Sequence, residues 1–206
     1  MLQIIHDAGW PIWLLIITSV IGLALIIERF LSLRTKLIAP EHLLDRVTEL
    51  IRQKAPTSNA LDKLASSSPL GRVLAEVIAV RHHDTTYRQA AIEDVGKDVA
   101  YRLNRYVPSL ATVAVVSSLL GLFGTVIGMI EIFASYTPAG GDPAQLARGI
   151  SVALYNTGFG IIIAVPALIF HRFFRARVDH FLHQIEHQAS TLDRILQQDS
   201  RHTPPN

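Results

Sequence analysis

Cysteine is absent from this 206-residue chain, which excludes a disulfide scaffold, a thiolate metal site and a cysteine nucleophile. Charge is scarce as well. Charged residues make up 17% of the sequence, against about 25% in an ordinary soluble domain. The shortage is localised: residues 8–27, 106–130 and 149–170 hold no Asp, Glu, Lys, Arg or His. The 19 basic and 17 acidic residues all fall in the remainder, at the usual density of about a quarter. A single soluble globular domain is thereby excluded, and the sequence reads as a membrane protein with a water-facing part of normal composition.

Each uncharged stretch is long enough to cross a bilayer, since about 20 residues rising about 1.5 Å each cover a hydrocarbon core of about 30 Å. The residues ahead of the first stretch contain no Lys or Arg, so they lack the positive region of a cleaved signal peptide. The first helix is therefore expected to be retained. Lys and Arg number none before the first span, 13 in residues 28–105, one in 131–148 and five in 171–206. The positive-inside rule then orients the chain. Residues 1–7 form a short periplasmic N-terminus, 8–27 the first span, 28–105 a cytoplasmic helical region and 106–130 the second span. Residues 131–148 form a periplasmic loop, 149–170 the third span, and 171–206 a cytoplasmic C-terminal helix and tail.

The fold class expected is an all-α membrane protein whose second and third helices extend into a helical cytoplasmic domain. Leu43, Leu44, Val47, Leu50 and Ile51 give residues 41–54 an amphipathic helical period. Breaker-rich stretches at 55–58 and 66–69 predict turns, and an apolar run over 73–80 follows. Thr86 to Gln89 fits a capping box and predicts a helix start there. From that point Ile92, Val95, Val99, Leu103 and Tyr106 keep a helical spacing into the second span. After the third span, Phe174, Val178, Phe181, Leu182, Ile185, Leu192 and Ile195 continue the same rhythm, and residues 203–206 read as a frayed end. The short external connection makes spans two and three an antiparallel hairpin.

Small residues mark one face of each of these two spans: Ser117, Gly121, Gly124, Thr125 and Gly128 on the second, Ala153, Asn156, Thr157, Gly160 and Ala164 on the third. Gly121, Gly124, Gly128, Ala153, Gly160 and Ala164 are candidate helix-packing positions, because small side chains let backbones approach in lipid. Thr125, Asn156 and Thr157 lie mid-span, where a polar group needs a hydrogen-bond partner or water. Together with Ser117 they are the candidate proton-pathway or pore-lining residues. No span carries an Asp, Glu or His, although ion pathways in membranes usually display one. If protons move here, the titrating group belongs to another chain.

Enzyme motifs are lacking. Gly121 to Gly124 and Gly158 to Gly160 sit inside apolar spans, without a preceding strand or a phosphate-binding Lys, so they are not nucleotide loops. His180, His183 and His187 share a helical face with no cysteine near, and read as solvated surface rather than a zinc site. Basic and acidic residues are interspersed, which gives nucleic-acid binding no support. Glu28 and Arg29 read as boundary residues or a local ion pair, and Glu131 and His171 as interfacial. Neither a cofactor nor an enzymatic activity is expected.

Two stretches carry a family likeness: Asn104-Arg-Tyr-Val-Pro-Ser-Leu-Ala-Thr-Val-Ala with Leu119-Leu-Gly-Leu-Phe-Gly-Thr-Val-Ile-Gly-Met129, and Leu146-Ala-Arg-Gly-Ile-Ser-Val-Ala-Leu-Tyr-Asn-Thr-Gly-Phe-Gly-Ile161 closing with Ala164-Val-Pro-Ala167. With Glu28-Arg-Phe at the exit of the first span, the chain resembles the MotA/TolQ/ExbB proton-channel family, on its ExbB and TolQ branch. The resemblance implies a homopentameric ring in the bacterial inner membrane, lined by the second and third helices. It implies a single-span ExbD-like partner whose aspartate carries the proton past Thr125 and Thr157, and a TonB-like protein that transmits the work to the outer membrane. A TolQ-like role in envelope maintenance is the close alternative, and a non-conducting structural scaffold the alternative from another class. Val152 stands where many relatives carry a glutamate, and Ser118 where many carry a proline.

Overall fold

The computed structural model describes residues 9–53, 57–134 and 143–202. The expected N-terminal segment, residues 135–142 of the expected external connection, the first breaker positions at 55 and 56 and the terminal residues 203–206 lie outside the described residues. Eight helices occupy the rest: α1 (Ile12–Ser32), α2 (Thr35–Ile38), α3 (Leu43–Gln53), α4 (Ser58–Ser67), α5 (Pro69–Ala79), α6 (Thr85–Asn104), α7 (Val107–Ala134) and α8 (Pro143–His202). Among the described residues there is no strand. Three helical stretches, in α1, in α6 with α7, and in α8, are long and apolar enough to cross a membrane. This is an all-helical, multi-pass membrane protein.

The joint between α6 and α7 has a local cause. Pro108 has no N–H, so the carbonyl of Asn104 finds no partner four residues on. The chain turns at Arg105 and Tyr106, where the Arg105 N–H bonds the Arg102 carbonyl at 3.4 Å. A proline in the first turn of a helix is tolerated, and α7 then runs unbroken past Ser118. In α8, Pro166 lies inside the helix without ending it.

The contacts divide the chain into two units. The first comprises Met1–Arg29 and Tyr106–Phe174. Here α1 packs on the α7/α8 hairpin through a cluster of Val113, Ala114, Ala164 and Ala167, joined by Leu25 and Ile163. Gly22 makes room for it, since a Cβ there would lie 3.0 Å from Val113 Cγ1. The Trp10 and Phe123 rings meet edge to face at 5.8 Å. The outward faces remain apolar and exposed, among them Ile17 and Val20 on α1, Leu119 and Leu122 on α7, and Leu154 and Ile162 on α8. Such exposure is costly in water and natural in lipid.

The second unit comprises Phe30–Arg105 and Arg175–Asn206. Leu70, Leu74 and Val77 of α5, Val99 of α6, and Val178, Phe181 and Leu192 of α8 are all buried. Asp98 accepts from Arg72 at 2.7 Å and from Arg102 at 3.3 Å, tying α5 to α6. Arg88 reaches Asp193 on α8 at 3.5 Å. Ser68 caps α5 by accepting from the Gly71 N–H at 3.0 Å, and Gly71 must be glycine because a Cβ there would overlap the Leu64 carbonyl.

Two expectations change. The helix cap expected at Thr86 lies two residues earlier: α6 begins at Thr85, and Asp84 is the cap, its carboxylate accepting from the Tyr87 N–H at 3.1 Å. A carboxylate there outcompetes the Thr86 hydroxyl, since it also complements the positive helix end. Helix α4, with no fully buried residue, was not expected between the two breaker-rich stretches.

Candidate functional site

The site is the seam between α7 and α8. The two helices approach so closely that glycines on one meet the main chain of the other. A Cβ on Gly160 would lie 2.7 Å from the Ser117 carbonyl oxygen and 2.9 Å from Gly121 Cα. On Gly128 it would lie 2.8 Å from the Gly149 carbonyl oxygen and 3.2 Å from Ala153 Cβ. On Gly124 it would overlap Asn156 Cβ, and on Gly149 it would overlap Ile132. Gly121, Gly124, Gly128, Ala153 and Gly160 thus form the packing face, while Ala164 belongs to the cluster beside α1. Gly149 is a seam residue that the sequence stripe did not include; its spacing of four from Ala153 was the available signal.

The polar residues separate into two kinds. Ser117 and Asn156 are wholly buried, each 0% exposed. The Ser117 hydroxyl donates to the Val113 carbonyl at 2.7 Å, and Asn156 Nδ2 donates to the Val152 carbonyl at 2.9 Å. In the single chain both side chains are enclosed by their own hairpin. Thr125 and Thr157 are only partly buried. The Thr125 hydroxyl donates to the Leu122 carbonyl at 2.6 Å, and the Thr157 hydroxyl crosses the seam to the Gly121 carbonyl at 3.4 Å. In an α-helix that same carbonyl also receives the Thr125 N–H, so the two threonines share one turn of α7. With its proton committed to a carbonyl, each hydroxyl keeps lone pairs able to accept from a passing donor.

At the C-terminal end of α1, Arg29 is buried beside the partly exposed Glu28. Its Nε and Nη2 donate to the carboxylate at 2.5 and 2.6 Å, and its guanidinium lies 5.1 Å above the centre of the Tyr106 ring. The ion pair anticipated from sequence is present, and the stacking on Tyr106 adds a clamp between α1 and the start of α7. His171 Nδ1 lies 2.9 Å from the Val107 carbonyl, joining α8 to the same turn. Glu131 is exposed at the other end of α7. Val152 is buried, 4% exposed, and its carbonyl is the acceptor for Asn156 Nδ2.

A groove of about 740 Å³ lies in the second unit between α6 and α8, with Ile92, Gly96, Ala100, Ile185 and Ala189 in its lining. Lys97 on its rim pairs with Glu93 at 2.8 Å. The Lys97 hydrogen bond and charge hold the Glu93 carboxyl below its ordinary range, and Glu93 correspondingly raises Lys97.

Fold and seam together define a three-span helical membrane protein whose hairpin is closed by glycine and carries hydroxyl and amide groups mid-span. Comparison with known proteins makes this more specific. The chain belongs to the MotA/TolQ/ExbB proton channel family, whose sequence profile matches residues 60–187. It is 28% identical over 200 residues to the biopolymer transport protein exbB1 of Vibrio cholerae, covering 95% of this chain and 88% of that one. It is 31% identical over 178 residues to the Tol-Pal system protein TolQ of Haemophilus influenzae, covering 81% and 78%. A putative ExbB-like biopolymer transport protein of Synechocystis matches at 29% identity over 161 residues, 77% of each chain.

Proposed function

We propose that this chain is the ring-forming, non-enzymatic subunit of an ExbB–ExbD-type motor in the bacterial inner membrane. Five copies surround single-span partner helices, and a partner aspartate carries protons past Thr125 and Thr157. A TonB-like protein couples that flow to transport across the outer membrane. The observation that carries the reading is the combination in the hairpin: no Asp, Glu, Lys, Arg or His in any span, yet two partly exposed hydroxyls, one from α7 and one from α8, that meet at the Gly121 turn. Such a wall can hand a proton along only if another chain supplies the acid. Each elementary charge crossing the membrane releases about 2.3 kcal/mol per 100 mV, so a demanding mechanical step takes several.

Proton flux into proteoliposomes holding the chain with its single-span partner tests this. Thr125→Val with Thr157→Val is expected to abolish most of the flux while leaving the complex intact; undiminished flux refutes the pore role of the threonines. A sodium-dependent flux insensitive to the proton gradient refutes the choice of ion. The N-terminus is read as periplasmic and the C-terminus as cytoplasmic. In this cysteine-free chain, Gln3→Cys is expected to react with an impermeant maleimide added to spheroplasts, and Ser190→Cys only after permeabilisation.

The second reading is a TolQ-like subunit of an envelope-maintenance system. It is favoured by the Haemophilus TolQ identity of 31%, level with the 28% to the Vibrio protein. Deletion separates the two: lost iron-complex uptake supports the first, and detergent sensitivity with intact uptake supports the second.

A further inference from the structure

Protons that pass the threonine pair must still leave the hairpin at the end where α7 begins. His171 stands there, the only histidine among the described residues of the first unit. Its Nδ1 lies 2.9 Å from the Val107 carbonyl oxygen. A carbonyl only accepts, so Nδ1 carries the ring proton and Nε2 keeps the lone pair. The ring is partly buried, not enclosed. The other charged or titratable groups at this end are Glu28 and Arg29 on α1, Tyr106 on α7 and Arg172 on α8. Glu28 is committed to Arg29 by two hydrogen bonds, Tyr106 lies under the Arg29 guanidinium, and arginine does not deprotonate in proteins. Imidazole is the one side chain that ordinarily gains and loses a proton near neutrality.

Position along α8 agrees. His171 follows Thr157 by fourteen residues of unbroken helix, about four turns, so the two lie on one side of α8, about 21 Å apart along its axis. Ile161, Ala164 and Leu168 occupy that side between them, and none can hold a proton. Transfer over that stretch belongs to water. His171 is the first group of this chain able to receive what the water delivers.

We propose that His171 is the proton-accepting residue at the mouth of the path where α7 begins, the cytoplasmic mouth in the orientation given above. The Nε2 lone pair takes a proton from water on the path, giving an imidazolium. The new N–H bond then breaks, the proton passes to bulk water or buffer, and the ring returns to neutral with Nδ1–H on the Val107 carbonyl throughout. This rests on the reading of the chain as a proton channel.

His171→Asn keeps an N–H donor for the Val107 carbonyl and removes the titrating nitrogen. The test uses proteoliposomes holding the complex with the single-span partner, in weakly buffered medium, with flux driven by a potassium diffusion potential. His171→Asn is expected to lower proton flux several-fold. Free L-histidine on both sides of the bilayer, an imidazole base that crosses membranes poorly as a zwitterion, is expected to restore that flux and to leave the unmodified complex unchanged. His171→Gln serves in the same assay if His171→Asn fails to assemble.

Undiminished flux in His171→Asn overturns the proposal. So does lost flux that free histidine fails to restore, which makes the ring a clasp between α8 and α7 and nothing more. The reading beneath it fails differently. An unmodified complex that conducts no protons removes the channel and the proposal together, whereas full flux in Thr125→Val with Thr157→Val, beside a rescuable loss in His171→Asn, refutes the hydroxyl pair and keeps the histidine.

Discussion

Replacing Gly160 by alanine puts one methyl group where two backbones meet. The new Cβ would lie 2.7 Å from the Ser117 carbonyl oxygen and 2.9 Å from Gly121 Cα. Carbon seeks about 3.3–3.6 Å from a carbonyl oxygen and about 3.5–4.0 Å from another carbon. The helices must part there by roughly 0.6–1 Å, which forfeits about a quarter to a half of each nearby dispersion contact. The Thr157 hydroxyl, already 3.4 Å from the Gly121 carbonyl, then loses its acceptor. Neither neighbour is a side chain that can rotate away. Overpacking of this kind costs about 1–3 kcal/mol, while the alanine regains up to about 1 kcal/mol of helix propensity. Gly160→Ala is therefore expected to lower stability by about 1–2 kcal/mol, or roughly 2–8 °C in melting temperature at about 2–4 °C per kcal/mol. Thermal unfolding of the detergent-solubilised complex measures it. Gly96→Ala is the matched control: no atom lies within 4 Å of a Cβ there, so propensity alone acts and the melting temperature is expected to rise. If Gly160→Ala melts at or above the unmodified protein, the main-chain seam is not where the structure puts it.

Asp84→Ala is expected to cost about 0.5–2 kcal/mol through loss of the α6 cap, and Thr86→Ala to cost much less; equal losses in thermal unfolding return the cap to Thr86. Arg29→Lys keeps the charge but gives up the two-pronged bond to Glu28 and the stacking on Tyr106, so a fall in melting temperature is expected, and an unaltered one shows the clamp to be idle. The Glu93–Lys97 pair is solvent-exposed and depends on pH. The folded Glu93 carboxyl is lowered by Lys97, so its contribution is present above the unfolded carboxylate value of about 4.3 and fades as pH falls through the folded one. The small melting difference between Glu93→Gln and the unmodified protein is expected to vanish in acid and to persist near neutrality. It is also expected to shrink in high salt.

Periodicity carried the helical reading well where one face is buried. Val99 and Leu103 in α6, and Val178, Phe181 and Leu192 in α8, are buried at the spacing that predicted helix. Helix α4 escaped because its few apolar residues, Leu61 and Leu64 among them, are only partly covered and give a short, weak signal between serine-rich ends. The site was half legible. A helical wheel groups Ser117, Gly121, Gly124 and Thr125, but it cannot say which edge of that group turns into the neighbouring helix. Adjacent residues differ by about 100°: Asn156 goes inward and Thr157 stays at the rim, and only the tertiary register decides between them. The pairing of Asn156 with Gly124 has no local signature at all, since a notch and the group that fills it lie on different helices.

The hairpin seam is built largely from atoms every amino acid possesses: the carbonyls of Ser117 and Gly149, the Cα of Gly121, the amide nitrogen of Ala153. Its recognition code is therefore written in omissions, in side chains that must not be there. This frees the opposite faces of α7 and α8. Leu119, Leu122, Leu154 and Ile162 can be exchanged for other apolar shapes to suit a different lipid or a different partner helix, and the hairpin that displays them stays the same.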